Sequence, residues 1–310
     1  MAWTPEVWKS TAFEHELRDW ISPHTGAVRA LTRVKDHPWS GVWRVDAERG
    51  CFYVKQNCPG QQHEARIASV LSRIAPDFIV EPVALDEERD LLLTRDAGRT
   101  WREALAEGAA VGWEPLLHDA MLLARTSVPV VDDMRLTVLD PAGIRDHLVR
   151  TRDEWRIPEE FRAAADAAVE VVGAAGDQVA ALGLPLALDH NDLHDANAFV
   201  GDHGARFFDF GDAVASSPLA VLRIPLAVYA RSIHASENDP RVLAIADAAL
   251  EVWSDLAPMA ELRAALPAAN RLAAVARAES WHRILESVPE EFVAEDYRRA
   301  DAEWLAESAL

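Results

Sequence analysis

The stretch DHNDLHDANAFV, residues 189–200, gathers His190, Asp192, His194, Asp195 and Asn197 into eight positions and then runs into an apolar segment. Burying so many polar groups costs stability unless each finds a partner, so the cluster marks a site rather than a stretch of ordinary core. A second polar insertion follows at FFDFGDA, residues 207–213, where Asp209 stands twelve positions after Asn197. The short apolar runs NAFV and RFFDF flank the turn Gly201 to Gly204, which predicts a small hairpin between the two polar segments.

Outward from this hairpin the texture of the chain divides. Residues 28 to 94 hold five β-type runs, VRALTRV, GVWRVDA, CFYVKQ, VEPVALD and DLLLTRD, with Glu-Arg-Gly at a tight turn between the second and third. One helix interrupts them, GQQHEARIASVLSRI, with Ile67, Val70, Leu71 and Ile74 at helical spacing. From about residue 100 onward the segments WREALAEG, WEPLLHDAMLLARTS, AGIRDHLVRTRDEW and the alanine-rich run from Pro158 to Gly183 predict amphipathic helices. The layout is α+β in two lobes: a β-rich lobe over residues 1–97 with a helical extension at 1–27, and a mostly helical lobe over 98–310.

Composition narrows the partners. Of 310 residues, 51 are Asp or Glu and 31 Lys or Arg, a net charge of −20 that disfavours nucleic acid and anionic membranes and favours cationic small molecules. Cys51 and Cys58 are the only cysteines, too few for a disulfide framework or a zinc cage. MAWTPEVWKS lacks the apolar core of a signal peptide, and LAVLRIPLAVYA is interrupted by Arg223 and Pro225, so a cytoplasmic protein is expected. Nothing in the sequence marks an oligomer face.

Four features fall in the order that phosphoryl transfer needs. Lys55 ends a strand, Glu64 lies in the helix after it, His190-Asn191-Asp192-Leu193 with Asn197 matches H-x-D-L-x-x-x-N, and Asp209-Phe210-Gly211 matches D-F-G. A strand-borne lysine can hold the phosphates of a nucleotide, and a glutamate on the neighbouring helix can hold that lysine. An aspartate beside an acceptor hydroxyl can take its proton, while an amide oxygen and a second carboxylate supply the hard oxygen ligands that Mg²⁺ prefers. Alone, Lys55 reads as a solvated edge residue and Glu64 as a helix-face charge. Coincidence does not account for the loop, the D-F-G and both flanking residues together.

These motifs resemble those of the aminoglycoside phosphotransferase and choline kinase group, in its bacterial branch. HNDLHDANAFV is similar to that family's H-G-D-L-H-x-x-N loop, and FFDFGDA to its I-D-[WF]-x-[DE] segment. The resemblance covers the chain from about residue 28 and implies a protein-kinase-like fold and an ATP- and Mg²⁺-dependent transfer to a hydroxyl of a small molecule, such as an amino sugar or aminoglycoside. It implies Asp192 as catalytic base, Asn197 and Asp209 as metal ligands, and Lys55 on the α/β-phosphates with Glu64 as its partner. It further implies LLLTRDAG, including Thr94 and Asp96, as the hinge at the adenine edge, with Phe199 under the base and His190 and His194 bracing the loop.

The departures are informative. VKDHPWSGVW, between the first two strands, has Gly41 as its one glycine, and position 191 is Asn where protein kinases have Arg. With no A-P-E segment, a protein substrate loses support. Tyr53 shares a strand face with Lys55 and is bulky above a base, which leaves ATP and GTP both open. Asp212 reads as a further ligand or as a helix N-terminal charge, the latter favoured. In ARAESWHRILESVPEEF, Trp281 beside a carboxylate suits an amino sugar, while Trp281 and Leu285 equally form one apolar helix stripe. A nucleotide-binding protein without catalysis, or a kinase for another small alcohol or sugar, is the alternative.

Overall fold

The computed structural model describes residues 3–310, so the first two residues of the N-terminal extension lie outside it. That extension forms α1 (Thr11–Thr25), capped by the Ser10 hydroxyl, which accepts from Phe13 N at 3.1 Å. An antiparallel sheet follows, built from β1 (Val28–His37), β2 (Ser40–Ala47), β3 (Gly50–Asn57), β4 (Pro82–Asp86) and β5 (Leu91–Arg95) in the order β1-β2-β3-β5-β4. The expected loop at VKDHPWSGVW is a tight hairpin instead: His37 pairs with Ser40 and only Pro38 and Trp39 turn. The second turn is likewise shorter than expected, because Gly50 already pairs with Ala47.

Period-two alternation decides the two faces of the sheet. Trp43, Val45, Phe52, Val54, Leu91 and Leu93 point outward and are buried under Trp8, Leu17 and Ile21 of the N-terminal segment. Val42, Tyr53, Lys55, Leu92 and Thr94 point the other way and line a cavity. Helix α2 (Glu64–Ile74) closes the back of that cavity with Glu64 and Ala68, while its apolar Ile67, Val70 and Leu71 join the large core of the helical lobe. Burying those three side chains contributes about 2 kcal/mol each.

The helical lobe comprises α3 (Trp101–Ala106), α4 (Trp113–Ser127), α5 (Ile144–Glu154), α6 (Glu159–Ala180), α7 (Arg223–Ser232), α8 (Pro240–Leu250), α9 (Met259–Ser287) and α10 (Ala300–Ser308). A capping box starts α3, with Thr100 and Glu103 bonding each other's backbone nitrogens. Two short ladders interrupt the helices: β6 (Ala187–Asp189) pairs with β9 (Val214–Ser216), and β7 (Ala198–Val200) with β8 (Ala205–Phe207). The first ladder ties together the ends of the polar region and the second is the anticipated hairpin. At Gly60 the β3–α2 connection approaches α9 so closely that a Cβ would stand 2.0 Å from the Arg283 carbonyl oxygen.

Candidate active site

The site begins with the pairing of β3 to α2. Lys55 Nζ lies 2.5 Å from Glu64 Oε2 and also bonds Asp209 Oδ1. Glu64 is held in turn: its Oε1 accepts from Phe210 N at 3.1 Å and its Oε2 from Asn57 Nδ2 at 2.8 Å. The same Asn57 amide donates to Asp90, whose other oxygen accepts from Ala65 N at 2.8 Å. Burial opposes charge on Lys55, yet Asp209 and Glu64 hold its pKa well above the ordinary value. Burial opposes charge on Asp209 too, and Lys55 with Lys35 holds its pKa well below the carboxylate range. Asp90, crowded by burial and by Glu64, is pushed up to about 6.

The loop after β6 is fixed by its own polar residues. Asp189 accepts from Asn191 N at 2.9 Å and from the Ser216 hydroxyl at 3.0 Å. His190 meets the Phe208 carbonyl through Nε2 at 2.9 Å and packs on the Phe210 ring, and His194 Nδ1 accepts from Ala196 N at 3.1 Å. Arg102 of α3 binds Asp195 Oδ1 through both Nε and Nη2. Asn191 adopts a left-handed φ of 60°, which asparagine tolerates better than most residues. Its amide then bridges to the carbonyls of Asp212 at 3.0 Å and Ala276 at 2.9 Å.

Asp192 is left partly exposed, with Asn197 beside it. Asn197 Nδ2 donates to the Asp192 carbonyl at 2.9 Å and lies 3.5 Å from its carboxylate, so the amide nitrogen is the atom turned to Asp192. Arg277 of α9 brings a buried guanidinium to 3.4 Å from Asp192 Oδ1, 3.5 Å from Asp212 Oδ1, and donates to the Asn191 carbonyl at 3.0 Å. Burial raises the Asp192 pKa to about 6 against the opposing pull of Arg277. Asp212 lies in the short 3-10 turn Phe210–Asp212. Its Oδ1 is turned inward, accepting from Gln61 Nε2 at 3.1 Å and from the Ser280 hydroxyl.

The cavity under the sheet has a volume of about 350 Å³ and includes Lys55, Glu64, Thr94, Asp96, Phe199 and Asp209 in its lining. Phe199 forms part of its floor, stacked on Phe208 with centroids 4.5 Å apart, and Val42 belongs to the sheet above. Asp96 uses its carboxylate to accept from Gly98 N at 3.0 Å, which shapes the turn after β5, and its own N–H donates to the Cys51 carbonyl at 3.2 Å. Asp192 and Asn197 stand outside this cavity, on the loop that follows β6. Among the described residues no group of three or more His, Cys, Asp or Glu forms a metal cage. By donor chemistry Asn197 and Asp209 would suit Mg²⁺, since each could offer it a hard oxygen ligand.

Sequence reading did not find Arg277, Asp90 or Asn57, each an ordinary residue in a helix, turn or strand until the fold sets it against a partner. Trp281 follows the apolar-stripe reading: it is buried, stacked on Tyr297 at 5.1 Å and edge-on to Trp39 at 5.4 Å, while Glu279 pairs with His147 at 3.5 Å. No helix among the described residues is long and apolar enough to cross a membrane.

No protein-family model matches the chain, and neither does any of the curated proteins compared with it. Solved structures do. The choline kinase LicA from Streptococcus pneumoniae superposes with a TM-score of 0.60 at 13% identity, covering 96% of this chain and 99% of that one. An ethanolamine kinase from Plasmodium vivax gives a TM-score of 0.63 at 9% identity, over 97% and 89%. The GDP complex of aminoglycoside 2'-phosphotransferase-IIIa gives 0.58 at 11% identity, over 97% and 99%. Over nearly its whole length, the chain has the two-lobed protein-kinase-like fold of these small-molecule kinases.

Proposed function

We propose that this protein is an ATP- and Mg²⁺-dependent O-phosphotransferase that phosphorylates a hydroxyl of a small molecule. The observation that carries the reading is the Lys55–Glu64–Asp209 cluster in the cavity lining, with a partly exposed Asp192 bonded to Asn197 on the loop after β6. In this reading residues 1–97 are the nucleotide lobe and 98–310 the lobe that carries the catalytic loop and acceptor. Lys55 holds the α/β-phosphates, Glu64 holds Lys55, the backbone around Thr94 and Asp96 meets the base edge, and Phe199 lies beneath the base. Asn197 and Asp209 are the metal ligands, and the bound metal supplies charge neutralisation on the transferring group.

Asp192 orients the acceptor hydroxyl and takes its proton. The acceptor oxygen forms a new bond to the γ-phosphorus, the bond to the β-phosphate oxygen breaks, and ADP leaves. A pKa raised by burial suits a base that must hold a proton briefly and release it near neutral pH.

For the acceptor we propose a small, cationic hydroxyl compound of the amino-sugar or aminoglycoside class, on the strength of the net charge of −20. The test is transfer of label from γ-labelled ATP, with GTP in parallel, to a panel of aminoglycosides, amino sugars, choline-like alcohols and neutral sugars, with Asp192→Ala as blank. Label moving to one class, and only with the wild-type protein, supports the reading. Binding of nucleotide without transfer to any acceptor favours a non-catalytic nucleotide-binding protein. Turnover undiminished in Asp192→Ala removes Asp192 as the base.

A further inference from the structure

The β1–β2 hairpin covers the cavity without the glycine-rich turn that lets a kinase backbone wrap phosphates, so something else must face them from above. Strand β1 contains an irregularity that supplies it. Arg33 pairs with Trp43 and Lys35 with Val42, so Val34 is an extra residue against β2. Cross-strand partners share a face. Arg33 therefore lies on the outer face, with its guanidinium over the Trp8 and Trp43 rings at 5.4 and 5.5 Å. Without the extra residue Lys35 would share that outer face. The bulge reverses the parity and turns Lys35 down into the cavity, beside Val42.

There Lys35 Nζ lies 3.5 Å from Asp209 Oδ2, while Lys55 occupies Oδ1 of the same carboxylate. The two lysines thus approach one carboxylate from the same face of the sheet, on either side of Val42. Lys35 is half-exposed and its contact with Asp209 is long, so this contact is weak and easily exchanged for a stronger anion. The neighbouring Asp36 does not neutralise it, being paired with Arg33 at 2.7 Å. The hairpin that carries it is also anchored. Trp39 at its tip packs edge-on against Trp281 at 5.4 Å and Tyr297 at 5.5 Å, and its carbonyl accepts from Cys58 N at 2.8 Å.

We propose that Lys35 is a second phosphate-binding lysine, re-aimed by the β1 bulge to hold the terminal phosphates from above in place of a glycine-rich loop. This rests on the nucleotide-binding reading of the cavity. A lysine is a point charge suited to phosphate oxygens, and its ammonium trades the Asp209 carboxylate for the phosphates when a nucleotide enters.

The experiment measures equilibrium binding of ATP with Mg²⁺ and of adenosine to the full chain, in wild type, Lys35→Met and Lys35→Arg. Lys35→Met should weaken ATP by about tenfold, leave adenosine unchanged, and be largely rescued in Lys35→Arg. Equal weakening of adenosine and ATP, or unaltered ATP binding in Lys35→Met, overturns the role of Lys35 while the kinase reading stands. A wild-type protein that binds neither ligand overturns the nucleotide reading itself, and this inference with it.

Discussion

Arg277 Nη1 stands 3.4 Å from Asp192 Oδ1 and 3.5 Å from Asp212 Oδ1, a single buried cation between two carboxylates that would otherwise repel. The guanidinium also lies 5.8 Å from the Trp304 ring centroid and donates to the Asn191 carbonyl, so one side chain of α9 spans the loop after β6 and α10. Removing it leaves two carboxylates uncompensated in a crowded site. Arg277→Met should therefore lower unfolding stability by about 3 kcal/mol and depress transfer, with Arg277→Lys intermediate. Chemical denaturation measures the first and kcat the second. Stability and rate both equal to wild type in Arg277→Met would show that the cation does not carry this charge balance.

Glu64 joins the two polar networks behind the cavity. Glu64→Gln keeps an oxygen for Phe210 N but removes the charge that holds Lys55 and crowds Asp90. The nucleotide KM should rise by roughly tenfold through a loosened Lys55. Asp90 should titrate below its present value of about 6. Carbon-detected NMR titration of the Asp90 carboxyl reads the second effect independently of turnover, and an unmoved Asp90 would disprove the coupling.

Asp189 gives a pH dependence of defined sign. Burial raises its pKa from 3.8 in the unfolded chain to about 6 in the fold. Between those values the native state binds more protons than the unfolded state, so this group's contribution makes stability fall as pH rises through the window and level off above it. Asp189→Asn keeps an acceptor for Asn191 N and a partner for the Ser216 hydroxyl while removing the ionisation. The wild type should lose roughly 2 to 3 kcal/mol more than the variant between about pH 4 and pH 7 in urea denaturation. Parallel curves for the two proteins would exclude Asp189 as the titrating group.

Legibility in the sequence followed distance along the chain. The loop from His190 to Asn197 and the segment at Asp209 were readable because their chemistry is local and their spacing short. Lys55 and the α2 helix were readable because strand alternation and helical periodicity put each on a definite face. Arg277 was not, since its partner Asn191 is 86 positions away and nothing in ARAESWHRILES distinguishes it from a solvated arginine. The β6–β9 ladder was missed for the same reason: three residues at Ala187 to Asp189 have no periodicity to detect, and their partners begin beyond a loop and a hairpin. The bulge at Val34 was equally silent, because parity along β1 depends on β2.

The seating of α2 has a consequence for control. Ile67, Val70 and Leu71 belong to the same continuous core as Leu193 of the loop after β6 and Phe207 and Phe210 around Asp209. Swinging the helix outward, as a switchable kinase would, exposes those three side chains at a cost of about 6 kcal/mol. A resting population held back by such a swing would need a large and specific effector to sustain it. The Lys55–Glu64 pair is therefore a permanent fitting of the fold, held in place by the same packing that seats α2.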